Sequence, residues 1–71
     1  MINTNKLKGR IVEKGLKQAD VAQHLGIAQP TLNQKINNIR PMDLDEAEKM
    51  ALFLDITDEE FPSFFLCHTV A

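Results

Sequence analysis

Between residues 29 and 35, five polar side chains, Gln29, Thr31, Asn33, Gln34 and Lys35, surround a single leucine, Leu32. A carboxamide carries donors and an acceptor in a fixed arrangement. That pair matches the major-groove edge of adenine, and a lysine reaches guanine. These residues can therefore read bases if one helix presents them on one face. Gln and Asn also occupy helix surfaces with no such role, so the scaffold decides. Other chemistry is poorly served. Cys67 and His68 are neighbours, but no third or fourth ligand stands at zinc spacing, so no metal site is expected. His24, between Gln23 and Leu25, reads as a surface histidine. No nucleophile stands beside a base, and no glycine-rich loop could cradle phosphate. Catalytic residues, a cofactor and a small-molecule substrate are accordingly not expected.

The elements that would hold residues 29–35 are helices. Apolar residues recur at helical spacing, and no Asn-Gly or Asp-Gly hairpin turn occurs. The expectation is an all-α chain of five helices forming one domain over residues 1–71. The first helix covers residues 5–14, with Asn3, Thr4 or Asn5 as N-cap, Leu7, Ile11 and Val12 facing inward, and Gly15 as the stop. Gly9, inside it, is expected to admit a close neighbour. The second covers 18–25, with Val21, Ala22 and Leu25 inward, and ends at Gly26; Ile27 is expected to pack against the core from the turn. The third starts at Gln29 or Pro30 and runs to about Asn37, with Leu32 and Ile36 inward and Asn37–Asn38 as the stop. Asp43 and Glu46 form a capping box for a fourth helix with Leu44, Ala47, Met50, Ala51 and Leu54 inward. Thr57 and Glu60 form a second box, expected to open a short fifth helix. Phe61, Phe64 and Phe65 supply its apolar face. Leu66 to Ala71 are expected to fray.

Residues 18–37 have the spacing of a helix-turn-helix, in which two short helices cross at about 90–120° through a tight turn. The close crossing needs a small side chain, which Ala22 supplies. The turn needs positive φ, which Gly26 supplies. Val21, Leu25, Ile27, Leu32 and Ile36 then form one side of the core, and the polar face of residues 29–35 is left outward.

Charge is divided along the chain. Residues 1–40 hold seven basic residues against two acidic ones, and residues 41–71 hold Lys49 against eight acids, giving +5 and −7. The acidic half is either a solvated face or a surface that keeps its side of the molecule off a polyanion. No run of 18 apolar residues could span a membrane, and no secretory signal opens the chain. With one cysteine no internal disulfide is expected, in keeping with a cytoplasmic protein. Of Phe61, Phe64, Phe65 and Leu66, two rings can close a small core. The remainder either joins them or forms a dimer or partner contact.

The stretch Gly15-Leu16-Lys17-Gln18-Ala19-Asp20-Val21-Ala22-Gln23-His24-Leu25-Gly26-Ile27-Ala28-Gln29-Pro30-Thr31-Leu32-Asn33-Gln34-Lys35-Ile36-Asn37-Asn38 resembles the Cro/CI-type helix-turn-helix family (xenobiotic-response-element-like). The resemblance runs over roughly residues 5–65 and includes the Leu44-Asp45-Glu46-Ala47 opening of the fourth helix. It implies a lambda-repressor-like five-helix bundle and transcription control in a bacterial host cytoplasm. The length and the Lys35-Ile36-Asn37 core look most like small temperate-phage switch proteins, either Cro-like repressors or modulator-of-repression antirepressors. Carried over by position, Gln18 would contact phosphate from the start of the second helix. Gln29 and Gln34 would reach base edges, and Thr31 and Asn33 bases or phosphate. Lys35, Asn38 and Arg40 would meet the backbone, and Lys17, with Lys6 and Arg10, would add electrostatic attraction. The partner would be double-stranded operator DNA, bound as a homodimer, or a phage CI-type repressor protein whose DNA binding is masked or altered. Departures from the family weaken the implied phosphate grip. Ala28 and Lys17 stand where Ser or Thr usually cap, Pro30 where a DNA-contacting residue is common, Asn38 for Gly and Ile39 for a base. They motivate the antirepressor alternative.

Overall fold

Asn3 opens the first helix by accepting a hydrogen bond from the Lys6 amide at 3.1 Å. The computed structural model describes residues 1–66, so the expected fraying of 67–71 and the Cys67–His68 pair lie outside the described residues. Helix α1 spans Thr4–Glu13, α2 Gln18–Leu25, α3 Gln29–Ile36, α4 Leu44–Phe53 and α5 Phe61–Phe65. No strand occurs among the described residues. The all-α, five-helix expectation holds.

Helices α1 to α4 stop in the same way. A residue with positive φ (Gly15, Gly26, Asn38 or Asp55) turns the chain out of each helix. The next residue is apolar, and its amide bonds back five residues: Leu16 to Ile11, Ile27 to Ala22, Ile39 to Gln34 and Ile56 to Ala51, at 2.8–3.0 Å. The same stop satisfies orphan carbonyls and presses an apolar side chain toward the core. Leu16 and Ile27 are partly buried against the core, and Ile56 is buried. Ile39 is the exception, at 71% exposed.

Helix α4 starts as expected, with Glu46 N donating to Asp43 Oδ1 at 2.8 Å and Asp43 N donating to Glu46 Oε1 at 3.1 Å. The second box forms too, with Thr57 N donating to Glu60 Oε1 and Glu60 N donating to Thr57 Oγ1, both at 3.2 Å. It closes a turn rather than a helix, because α5 begins only at Phe61.

The core gathers Leu7 and Ile11 from α1, Val21 and Ala22 from α2, Leu32 and Ile36 from α3, Ala47, Met50 and Ala51 from α4, and Phe64 and Phe65 from α5, with Leu54 and Ile56 beside them. Helix α2 packs on α3 and α4, and α1 on α5. Three inward expectations are corrected. Val12 is 74% exposed and Leu44 64% exposed, each lying past the edge of its helix's buried stripe. No atom outside α1 lies within 4 Å of the place a Cβ would take at Gly9, so Gly9 serves no close approach. The halves of opposite charge are tied together by ion pairs: Arg10 with Glu60, Lys14 with Asp55, and Lys35 with Glu46.

Candidate nucleic-acid interface

Helix α3 is held at its base by Leu32 and Ile36, both fully buried. Its first turn has no side-chain cap, since Ala28 is the N-cap and carries no oxygen. Pro30 partly offsets this, because it has no N–H to leave unpaired. With Leu32 and Ile36 inward, helical spacing places Pro30, Gln34 and Asn37 on the opposite face and Asn33 on its flank; Gln29, three residues before Leu32 and seven before Ile36, falls on the inward side and is exposed as the first residue of the helix. Gln29, Pro30 and Asn33 are exposed, while Gln34 and Asn37 are partly so.

Asn37 closes α3 and also orders its face. Its Nδ2 donates to the Asn33 carbonyl at 2.8 Å and to Asn33 Oδ1 at 3.1 Å. A backbone carbonyl only accepts, so the atom of Asn37 facing it must be the nitrogen, and the Asn33 atom receiving the second bond must be the oxygen. The NH₂ of Asn33 and the side-chain oxygen of Asn37 are therefore left without a partner among the described residues, a donor and an acceptor one helical turn apart. Sequence reasoning took Asn37 only as a stop. Its i+4 spacing from Asn33 is the signal that could have found it.

Several expected contacts move elsewhere. Lys35 pairs with Glu46 of α4, and both side chains are only 15% exposed, so Lys35 is not an outward cation. It points along the flank facing α4, as does the partly buried Thr31 one turn earlier. Asn38 is also committed. Its Oδ1 accepts from Ile2 N at 2.8 Å and its Nδ2 donates to Ile2 O at 2.9 Å, pinning the N-terminal segment to the end of α3. The Thr4 hydroxyl adds a bond to the Ile36 carbonyl at 2.7 Å. Arg10 donates to the Leu54 and Asp55 carbonyls at 3.1 and 3.0 Å and to Glu60 at 2.9 Å, so it ties α1 to the α4–α5 connection. Lys6 donates to Ser63 Oγ at 2.8 Å and lies over the Phe64 ring, on the α5 side of the molecule.

Among the described residues the bases in no ion pair, besides Lys6, are Lys8, Lys17 and Arg40. Lys8 and Lys17 line one hollow with Gln18, at the N-terminus of α2. Lys17 is the N-cap of α2 and gives no side-chain cap bond; its amide donates to Asp20 Oδ2 at 2.8 Å, the half of a capping box that the third helical residue supplies. Lys8 was missed by sequence reading, which chose Lys6 and Arg10 from the same helix. Arg40 is exposed in the loop after α3. His24 stacks on Phe53 of α4 with ring centroids 4.1 Å apart and so braces α2 against α4.

The aromatic cluster divides. Phe64 and Phe65 are 2% and 5% exposed and belong to the core, which removes them from any contact surface. Phe61 is partly buried, and Leu66 is 52% exposed beside it. No group of three or more candidate metal ligands occurs among the described residues. No helix among them is long and apolar enough to cross a membrane.

No curated protein and no solved structure matches the chain. The family model described as helix-turn-helix matches residues 7–61, from Leu7 of α1 to Phe61 at the start of α5. The two-helix unit of α2 and α3, its Gly26 turn and its supporting helices all fall inside that match. The chain therefore belongs to the helix-turn-helix family, whose members are DNA-binding transcription regulators rather than enzymes.

Proposed function

We propose that this chain is a phage-type regulator that lays α3 in the major groove of operator DNA, within a lysogenic/lytic switch. The observation that carries the reading is the outward amides of α3, Asn33 and Gln34 over a stripe that is fully buried at Leu32 and Ile36, with Gln29 exposed at the first residue of the helix. Lys17, Lys8 and Gln18 at the start of α2 supply the phosphate contacts. A second copy completes the reader on a two-fold site, since one short helix covers only one half-site. Its docking surface is the hollow of about 240 Å³ between the start of α4 and the end of α5, lined by Leu44, Ala47, Phe61 and Leu66 among others.

The test is a mobility shift with duplexes enriched from a random pool at low salt. Gln29→Ala and Gln34→Ala lose sequence preference while non-specific affinity remains. Leu66→Asp reduces cooperative occupation of two half-sites. If no enriched duplex is retarded, the reading fails.

A second reading is favoured by the Lys35–Glu46 pair, which leaves α3 without an outward cation. Here the same face meets a CI-type repressor and masks or alters its DNA binding. Adding this protein to a repressor–operator mixture separates the two. Release or supershift of the repressor supports the antirepressor reading, and unchanged repressor binding in excess of this protein sinks it.

A further inference from the structure

We propose that Glu46 is a positioning residue that keeps the Lys35 charge away from nucleic-acid phosphate, so that α3 recognises its target through amides rather than through charge. The inference rests on the DNA-binding reading of α3. Both oxygens of Glu46 are committed. Oε2 holds the Lys35 ammonium, and Oε1 accepts the Asp43 amide of the α4 capping box at 3.1 Å. The carboxylate is therefore fixed by its own helix before it meets α3. With each side chain only 15% exposed, drawing Lys35 toward a phosphate would leave a largely buried carboxylate without its counter-ion. Breaking such a pair by removing one partner is strongly unfavourable. Phosphate cannot compete cheaply for this lysine.

The consequence concerns discrimination. Phosphate contacts raise affinity for every sequence equally, whereas base contacts favour one. Withholding the one cation of α3 lowers binding to the wrong sequences without touching the amides that read the right one. Glu46 thus raises the ratio of specific to non-specific binding, while never contacting DNA itself.

Glu46→Gln tests this in the full chain. Glutamine keeps the length and the acceptor for Asp43, and it loses the charge that holds Lys35. Binding of the parent, of Glu46→Gln and of Glu46→Gln with Lys35→Gln is measured by fluorescence anisotropy across a salt series. The probes are a mixed-sequence duplex and a duplex enriched by the parent. Thermal melts accompany each protein. For Glu46→Gln on the mixed-sequence duplex, the slope of log affinity against log salt steepens by about 0.9 per chain. Its advantage over the parent shrinks about three- to fourfold between about 50 and about 200 mM salt. Its preference for the enriched duplex falls. Adding Lys35→Gln restores the parental slope. An unchanged slope in a folded Glu46→Gln overturns the proposal. So does a double variant whose slope is shallower than the parent's by about 0.9, because Lys35 would then already sit on phosphate. The double variant has no stranded charge, so it decides the matter even where Glu46→Gln fails to fold. A parent that binds neither duplex overturns the DNA-binding reading and this inference together; a parent that binds with the slopes above unchanged overturns the inference alone.

Discussion

Asn33 and Asn37 act as one group. The bonds from Asn37 Nδ2 to the carbonyl and side-chain oxygen of Asn33 fix both amides without help from DNA. If α3 reads bases as proposed, a pair ordered in advance loses less side-chain entropy on binding. On that reading, the free donor of Asn33 and the free acceptor of Asn37 are the two types that the N7 and N6 of adenine require in the major groove. Asn37→Ala is expected to relax preference at one base position, the position that Asn33→Ala also relaxes, by about 1–3 kcal/mol of discrimination. Selection of bound duplexes from a random pool checks it. A uniform loss across all sequences would instead mark Asn37 as a phosphate contact. The exposure of Asn33 and Gln34 was legible because they are polar residues off the plain inward stripe of Leu32 and Ile36, whereas Gln29 shares the spacing of that stripe and is exposed only as the first residue of the helix. Lys35 and Asn38 were not, because their partners Glu46 and Ile2 are brought to them only by packing and by the path of the N-terminus. No rule of local spacing contains those contacts.

The helices themselves were largely written in local signals, and their ends show which signals are strong. Gly15 and Gly26 stop α1 and α2 where expected, since glycine alone takes positive φ without strain. Asp55 does the same at the end of α4, at φ +55°, and passed unnoticed because aspartate is uncommon there. Thr57 and Glu60 gave a correct box but too early a start for the fifth helix, as the bonds of a capping box also close an isolated turn. Two element-scale outcomes follow from positions where a local rule is broken. Gly9 lies inside α1 with open space where a Cβ would go, so Gly9→Ala is expected to stabilise by about 1 kcal/mol. Ala28 leaves the Thr31 amide without a side-chain cap, and Ala28→Ser is expected to stabilise by about 1 kcal/mol. Urea denaturation of each variant checks both. A Gly9→Ala variant less stable than the parent would mean that α1 has a neighbour at that face.

Across the whole molecule, part of the opposed charge of the two halves acts within the fold, since three of the seven bases of residues 1–40 pair with acids of residues 41–71. Two bases at the end of α1 hold the acidic half in place: Arg10, expected from the resemblance to attract DNA, reaches Glu60 and two carbonyls of the α4–α5 connection, and Lys14 reaches Asp55. Two of those acids titrate below their ordinary range. A hydrogen bond from Lys14 and the charge of Lys14 lower Asp55. The Thr57 amide, and then Arg10, lower Glu60. Unfolding frees both carboxyls to their ordinary affinity for protons, so in acid the unfolded chain binds more protons than the folded one, and stability rises with pH there. Their contribution is therefore complete above the ordinary carboxylate range. It is lost as pH falls through that range toward the lowered values of the folded state. The urea midpoint is expected to stay level from about pH 7 to about pH 5.5 and to decline below about pH 4.5. Asp55→Asn with Glu60→Gln should lower the neutral plateau slightly and flatten the acid decline. An acid decline as steep in that double variant as in the parent would place the sensitivity in other carboxylates. Raised salt should leave most of the Glu60 effect, which depends first on a backbone hydrogen bond, and weaken the Asp55 effect, which depends on an exposed lysine.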